Sequence, residues 1–164
     1  MNQSESKKLK AIIVDDEELA RQGLSMRIEQ YEDLEILAEC RNGKEAIAAI
    51  IEHEPDVVFL DIQMPGMTGF EVINEVQGDV MPMIIFVTAY DAFAVAAFKV
   101  HAIDYLLKPV DVEGLARAID RAKQQKEQKV AIPEKQKLLE LAVSLTGKSA
   151  SAIGELIYSE EDIV

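Results

Sequence analysis

The sequence predicts a doubly wound α/β fold, and three observations carry that expectation. Short apolar runs alternate with helical stretches five times along the chain, the pattern of a parallel sheet covered on both faces. The runs, such as Val57-Val58-Phe59-Leu60, are too short for buried helices and are bounded by turn formers, as fully buried strands are. The first and third runs both end in acids, Asp15-Asp16 and Asp61. Ligands of such sheets gather outside the carboxyl ends of the strands. The flavodoxin-like strand order 2-1-3-4-5 is the expectation for five units, with its switch point beside the first and third strands.

The elements follow in order. Ala11 to Val14 is the first strand, and Leu19, Leu24 and Ile28 mark an amphipathic helix up to about Tyr31. Leu34 to Cys40 is the second strand, followed by the turn Asn42-Gly43. Ala46, Ile47, Ile50 and Ile51 form the apolar stripe of the next helix, which Pro55 stops. The strand ending at Asp61 leads through Pro65-Gly66-Met67-Thr68-Gly69, a loop by composition, into a short helix over Phe70 to Val76. Met83 to Val87 is the fourth strand, ending in Thr88, and the alanine-rich helix Ala92 to Val100 has Phe93, Ala97 and Val100 as inward positions. Tyr105 to Leu107 is the fifth strand, closed by Lys108-Pro109, and Val112, Leu115, Ala116 and Ile119 place a stripe on the last helix.

At 164 residues the chain suits one domain with some length left over. A hydrophobic content of 49% with 29% charged residues is globular rather than disordered. A net charge of -13 argues against nucleic acid held by this chain alone and against an anionic membrane surface. The single cysteine, Cys40, has no disulfide partner within the chain and fits a reducing, cytoplasmic setting. Met1 to Lys10 lacks the apolar core of a signal peptide. No apolar run approaches the roughly 20 residues of a membrane span.

The expected sheet-top groups are Asp15, Asp16, Asp61, Thr88 and Lys108. Acids at a helix start are favoured by its dipole, which accounts well for Glu17 and Glu18. A loop-capping role is open to Asp61. Three carboxylates brought together repel one another unless a cation neutralises them. Oxygen ligands without His or Cys select Mg²⁺, with Mn²⁺ as a substitute. A carboxylate can accept a phosphoryl group, and an ammonium such as that of Lys108 would help neutralise it. The hydroxyl of Thr88 would donate to a phosphoryl oxygen.

On Asp15-Asp16, Asp61 with Met64-Pro65 and Gly69, Thr88-Ala89, and Lys108-Pro109 in this order and spacing, residues 8–125 resemble the receiver domain of two-component response regulators. The resemblance implies that Asp61 is phosphorylated by a sensor histidine kinase. Asp16 would ligate the metal directly, Asp15 mainly through water, and the backbone carbonyl of Gln63 would complete the shell. Thr88 and Lys108 would contact the phosphoryl group, and the Lys108-Pro109 bond would be cis. Tyr105 occupies the family's switching position and would turn inward as Thr88 moves toward the phosphoryl group; an ordinary half-buried tyrosine is the alternative. Gln63 and Tyr90 would flank the site and tune the phosphoryl lifetime.

The face of the fourth helix, fifth strand and fifth helix would change its affinity for partners. A homodimer through it would draw on Phe98, Val100 and Ile103, which also suit the core. His101 reads as a surface or packing residue, His53 as a helix-end dipole contact, Cys40 as a small core residue and Glu17 as a helix cap.

Val87 to Pro109 resembles the LytTR branch, whose members usually carry a C-terminal DNA-binding domain. Here 126–137 reads as a linker. Residues 138–164 offer strand-like runs at Leu141 to Leu145, Glu155 to Tyr158 and Ile163-Val164. They are taken as an incomplete start of such an output domain or a short appendage, with DNA contact requiring the complete domain. The chain is expected to catalyse only its own phosphorylation and dephosphorylation. A Mg²⁺-dependent aspartyl-phosphate phosphatase of the haloacid-dehalogenase type would need a second acid two residues after the nucleophile, where Gln63 stands. A receiver-like interaction module that is never phosphorylated would have no need of the whole acidic set.

Overall fold

The computed structural model describes residues 8–76 and 81–128. They form β1 (Leu9–Val14), α1 (Glu18–Ile28), β2 (Leu34–Cys40), α2 (Gly43–His53), β3 (Val57–Leu60), α3 (Gly69–Val76), β4 (Met83–Thr88), α4 (Ala94–Lys99), β5 (Asp104–Leu107) and α5 (Val112–Gln128). A short 3-10 turn, Asp91–Phe93, precedes α4. The strands make one five-stranded parallel sheet in the order β2-β1-β3-β4-β5, the flavodoxin-like arrangement expected from the alternation.

Two compact units divide between Ile85 and Phe86. In the first, every residue of β3 is buried, as are Ala11 to Val14 of β1. This accounts for the unbroken apolar character of both runs, since a central parallel strand has no wet face. β1 pairs in parallel with β2 on one side and β3 on the other, with Val14 opposite both Cys40 and Leu60. In the second unit the core gathers Phe86, Tyr105, Leu106, Leu115, Ala118, Ile119 and Ala122. The Phe86 and Tyr105 rings are tilted with centroids 6.1 Å apart.

Helix faces depart from the sequence expectation at several positions. Leu19 is 82% exposed, whereas Leu24, Ser25 and Ile28 are buried. Five residues turn a helix by about 140°, so Leu19 cannot share the face of Leu24. In α2 the buried stripe is Ala46, Ala49 and Ile50, and Ile51 is exposed. In α5 it runs through Leu115, Ala118, Ile119 and Ala122; Ala116 lies off that stripe, and Val112 opens the helix a turn ahead of it, 73% exposed. Ala97 of α4 is buried, while Phe93 just before the helix and Val100 just after it are half-exposed, the helix being shorter at both ends than the expected Ala92 to Val100.

The helix expected to reach about Tyr31 stops at Ile28, and α2 ends at His53 with Glu54 left-handed at φ 48°. α5 runs through Gln128, three residues past the expected receiver boundary. Residues 126–128 of the expected linker belong to α5; its remainder, the strand-like runs expected in 138–164 and the side chain of Phe98 lie outside the described residues. None of the described helices is long and apolar enough to cross a membrane.

Candidate functional site

The register of the sheet makes the acidic site. Because Val14 stands opposite Leu60, the next residues, Asp15 and Asp61, leave adjacent strands at the same level. Backbone hydrogen bonds secure both exits: Asp61 N–H donates to the Val14 carbonyl at 3.0 Å and Asp15 N–H to the Cys40 carbonyl at 3.0 Å. Asp15 and Asp61 are 4% and 5% exposed, and Asp16 is exposed. One carboxylate oxygen from each of Asp15, Asp16 and Asp61 lies within 4.8 Å of the other two.

Local turns aim these side chains. Asp15 Oδ1 accepts from Glu17 N–H at 2.9 Å and Asp61 Oδ1 from Gln63 N–H at 3.3 Å, each a loop in which an aspartate bonds the chain two residues on. Glu17 takes the N-cap position of α1, but its side chain makes no capping hydrogen bond; the N–H groups of the first turn are reached best by the shorter Ser, Thr, Asp and Asn side chains. The loop after Asp61 returns closely on itself. Gly69 N–H donates to the Ile62 carbonyl at 2.9 Å, and a Cβ at Gly69 would come within 2.6 Å of the Asp61 carbonyl oxygen. Only glycine fits there.

The donor set suits a small hard cation. It is all oxygen, and an octahedral Mg²⁺ shell spaces its oxygens at about 3–4.2 Å, so a set within 4.8 Å needs only small side-chain rotations to close on one ion. Gln63 itself is exposed.

Thr88, Tyr105 and Lys108 stand together in the second unit. Lys108 N–H donates to the Thr88 carbonyl at 2.8 Å, and the Lys108-Pro109 peptide is cis. Thr88 is fully buried, and its hydroxyl oxygen lies 3.5 Å from the Tyr90 nitrogen, which donates to it. Tyr105 is 1% exposed and its hydroxyl donates to the Tyr90 carbonyl; it stands inward rather than half-buried with a wet hydroxyl. Tyr90 is 51% exposed and meets Phe93 edge-on.

His101 is exposed in a left-handed conformation, φ 64°, and closes α4. Cys40 is 2% exposed, and burial followed by the charge of Glu45 pushes its thiol up to about 11.

Two features escaped the sequence reading. Arg21 reaches back from α1 and donates from Nη1 to the Asp15 carbonyl at 2.7 Å; its signal was a long basic side chain on the turn after the acidic doublet, since helical side chains tilt toward the N-terminus. Asp104, fully buried, accepts from Arg117 Nε at 2.8 Å and Nη2 at 3.0 Å, with Arg121 at 3.8 Å. The Asp104 hydrogen bond is the foremost cause raising the Arg117 pKa.

Residues 11–120 match the family model of the response regulator receiver domain. An uncharacterized response regulatory protein of Yersinia pestis is 52% identical over 113 residues, 69% of this chain and 48% of that protein. The transcriptional regulatory protein BtsR of Escherichia coli is 42% identical over 143 residues, 86% of this chain and 59% of its own length. The chain thus spans about half the length of these relatives. Among solved structures, the receiver domain of AraT from Geobacillus stearothermophilus is 34% identical with a TM-score of 0.67, covering 74% of this chain and 97% of that one. The response regulatory domain of mrkE from Klebsiella pneumoniae is 33% identical with a TM-score of 0.68, covering 73% and 99%.

Proposed function

The chain belongs to the response regulator receiver domain family of two-component signalling, and we propose that it is a switch that accepts a phosphoryl group on Asp61 from a sensor histidine kinase. The observation that carries this reading is the gathering of Asp15, Asp16 and Asp61 with carboxylate oxygens within 4.8 Å. Such a cluster serves a divalent cation, and a carboxylate within it is a phosphoryl acceptor.

In this reading an oxygen of Asp61 attacks the phosphorus of a phosphohistidine. The O–P bond forms as the N–P bond breaks, and its electron pair leaves with the imidazole. A bound Mg²⁺ supplies charge neutralisation to the phosphoryl oxygens. Asp16 would ligate that ion directly, Asp15 mainly through water, and the Gln63 carbonyl would add an oxygen. The Thr88 hydroxyl donates to one phosphoryl oxygen and the Lys108 ammonium offsets charge on another. No turnover of external substrates is assigned, since Gln63 has no acidic proton to exchange.

The switch proper is Tyr105. Its inward ring, with a hydroxyl satisfied by the Tyr90 carbonyl, is a conformation the fold supports. Phosphorylation would favour it by drawing Thr88 toward the new charge. The responding surface is α4, β5 and α5, through which a homodimer is proposed. Relatives such as BtsR are named as transcriptional regulators, so the proposed output is control of transcription through a LytTR-type domain, with DNA contacted only by that complete domain. A cytoplasmic setting goes with this reading.

The test is incubation with acetyl phosphate and Mg²⁺ followed by intact mass. A gain of one phosphoryl group is expected, abolished in Asp61→Asn. Steady phosphate release from a general phosphomonoester, or no uptake despite bound Mg²⁺, would overturn it.

A further inference from the structure

The peptide bond joining Asp15 to Asp16 is gripped from an unexpected side. Asp15 is held at three points: its N–H by the Cys40 carbonyl at 3.0 Å, its Oδ1 by Glu17 N–H at 2.9 Å, and its carbonyl by the Arg21 guanidinium at 2.7 Å. The first is a backbone pair that comes with the sheet, and the second a backbone N–H on the Asp15 carboxylate that comes with the turn. The third is a side chain, a charge-assisted bond from a half-buried arginine to a residue 4% exposed, where such bonds are strong. A peptide unit is planar. Fixing its carbonyl therefore fixes ψ at Asp15 and the position of the Asp16 Cα, which narrows the directions open to both side chains.

A guanidinium bonded to the Asp15 carbonyl has two opposed effects on a divalent cation held by the neighbouring carboxylates. Its charge repels the ion, and the more so the less water screens the pair. Its hydrogen bond orders the ligands, so less conformational freedom is lost when the ion arrives. The geometry decides between these. Nη1 donates to a backbone carbonyl whose plane carries the Cα atoms of both Asp15 and Asp16, an arrangement that orders the site.

We propose that Arg21 is a positioning residue for the acidic cluster, holding the Asp15–Asp16 peptide so that both carboxylates face the divalent ion. The proposal rests on the reading of Asp15, Asp16 and Asp61 as a divalent-cation site. It makes a prediction opposite in sign to a purely electrostatic role. Removing a nearby positive charge by itself tightens cation binding; removing a positioning bond loosens it.

The experiment measures Mn²⁺ binding to the full chain by the loss of the free-ion electron paramagnetic resonance signal, with Mg²⁺ as competitor. It compares the unaltered chain with Arg21→Met, which lacks both charge and donor, and Arg21→Lys, which keeps both. The expected result is a roughly ten-fold weaker Kd for Arg21→Met and a Kd within about two-fold for Arg21→Lys. Should Arg21→Met not unfold cooperatively, Arg21→Gln replaces it. Tighter binding in Arg21→Met, or an unchanged Kd with only a lower Tm, overturns the proposal. If the unaltered chain binds no Mn²⁺, or Asp16→Asn binds it equally well, the cation site itself fails and the role of Arg21 falls with it. If Asp16→Asn loses binding while Arg21→Met does not, the role of Arg21 alone is refuted.

Discussion

Buried carboxylates occur in both units of this chain and are treated in opposite ways. In the second unit, Asp104 is fully buried against two guanidinium groups of α5, with Arg117 bonding both of its oxygens. In the first, Asp15 and Asp61 are almost as deeply buried, and one carboxylate oxygen of each lies within 4.8 Å of the other and of Asp16. The difference separates an acid paired with cations of its own unit from acids gathered among themselves. Asp104 has its charge balanced by α5 of the same chain, and the pair ties that helix to β5. The acids that follow β1 and β3 bring like charges close together, and a divalent cation would offset their repulsion.

The contrast is broken most severely by Asp16→Asn. It should weaken Mn²⁺ binding by ten-fold or more while raising the Tm measured in chelator, because a repulsive charge is gone. In the unaltered chain, Mg²⁺ at about 100 times its Kd should add about 2.7 kcal/mol to the unfolding free energy, lost on chelation; urea titrations with and without chelator read both. If Asp16→Asn lowered the Tm in chelator, the acids would be structural after all.

Asp104→Ala should act the other way, destabilising by about 2 kcal/mol in urea unfolding regardless of Mg²⁺. That is less than the 3–5 kcal/mol of a fully buried pair, since the Arg117 and Arg121 side chains are 40% and 36% exposed and can turn to water. Gly69→Ala should cost about 1–3 kcal/mol, because the new methyl meets backbone at 2.6 Å and cannot be accommodated by a side-chain shift. It should also slow phosphoryl uptake from acetyl phosphate by displacing Asp61. The smallest effect belongs to Tyr105→Phe, about 1 kcal/mol, for the lost hydroxyl bond to the Tyr90 carbonyl. Its uptake of phosphoryl should be unchanged, as the ring remains to fill the core.

Much of the fold and of the candidate site was legible before any coordinates. The runs that became β1 and β3 are apolar throughout because central parallel strands are buried on both faces. The acids at their ends were visible as a break in that pattern. Helix faces were legible only in part: Leu19, Ile51, Ala116 and Val112 satisfied a loose periodicity, but a stripe is only about 100° wide and its centre is set by what it packs against.

By itself the sequence determined the alternation of strand and helix and the chemical identity of the cluster, because hydrophobic period and residue type are local properties of the chain. Only the tertiary structure decided that Val14 lies opposite Leu60, that Arg21 turns back to the Asp15 carbonyl, and that Asp104 meets arginines more than ten residues away. Register and charge pairing are set by packing between segments, and no local pattern of apolar and polar residues encodes them.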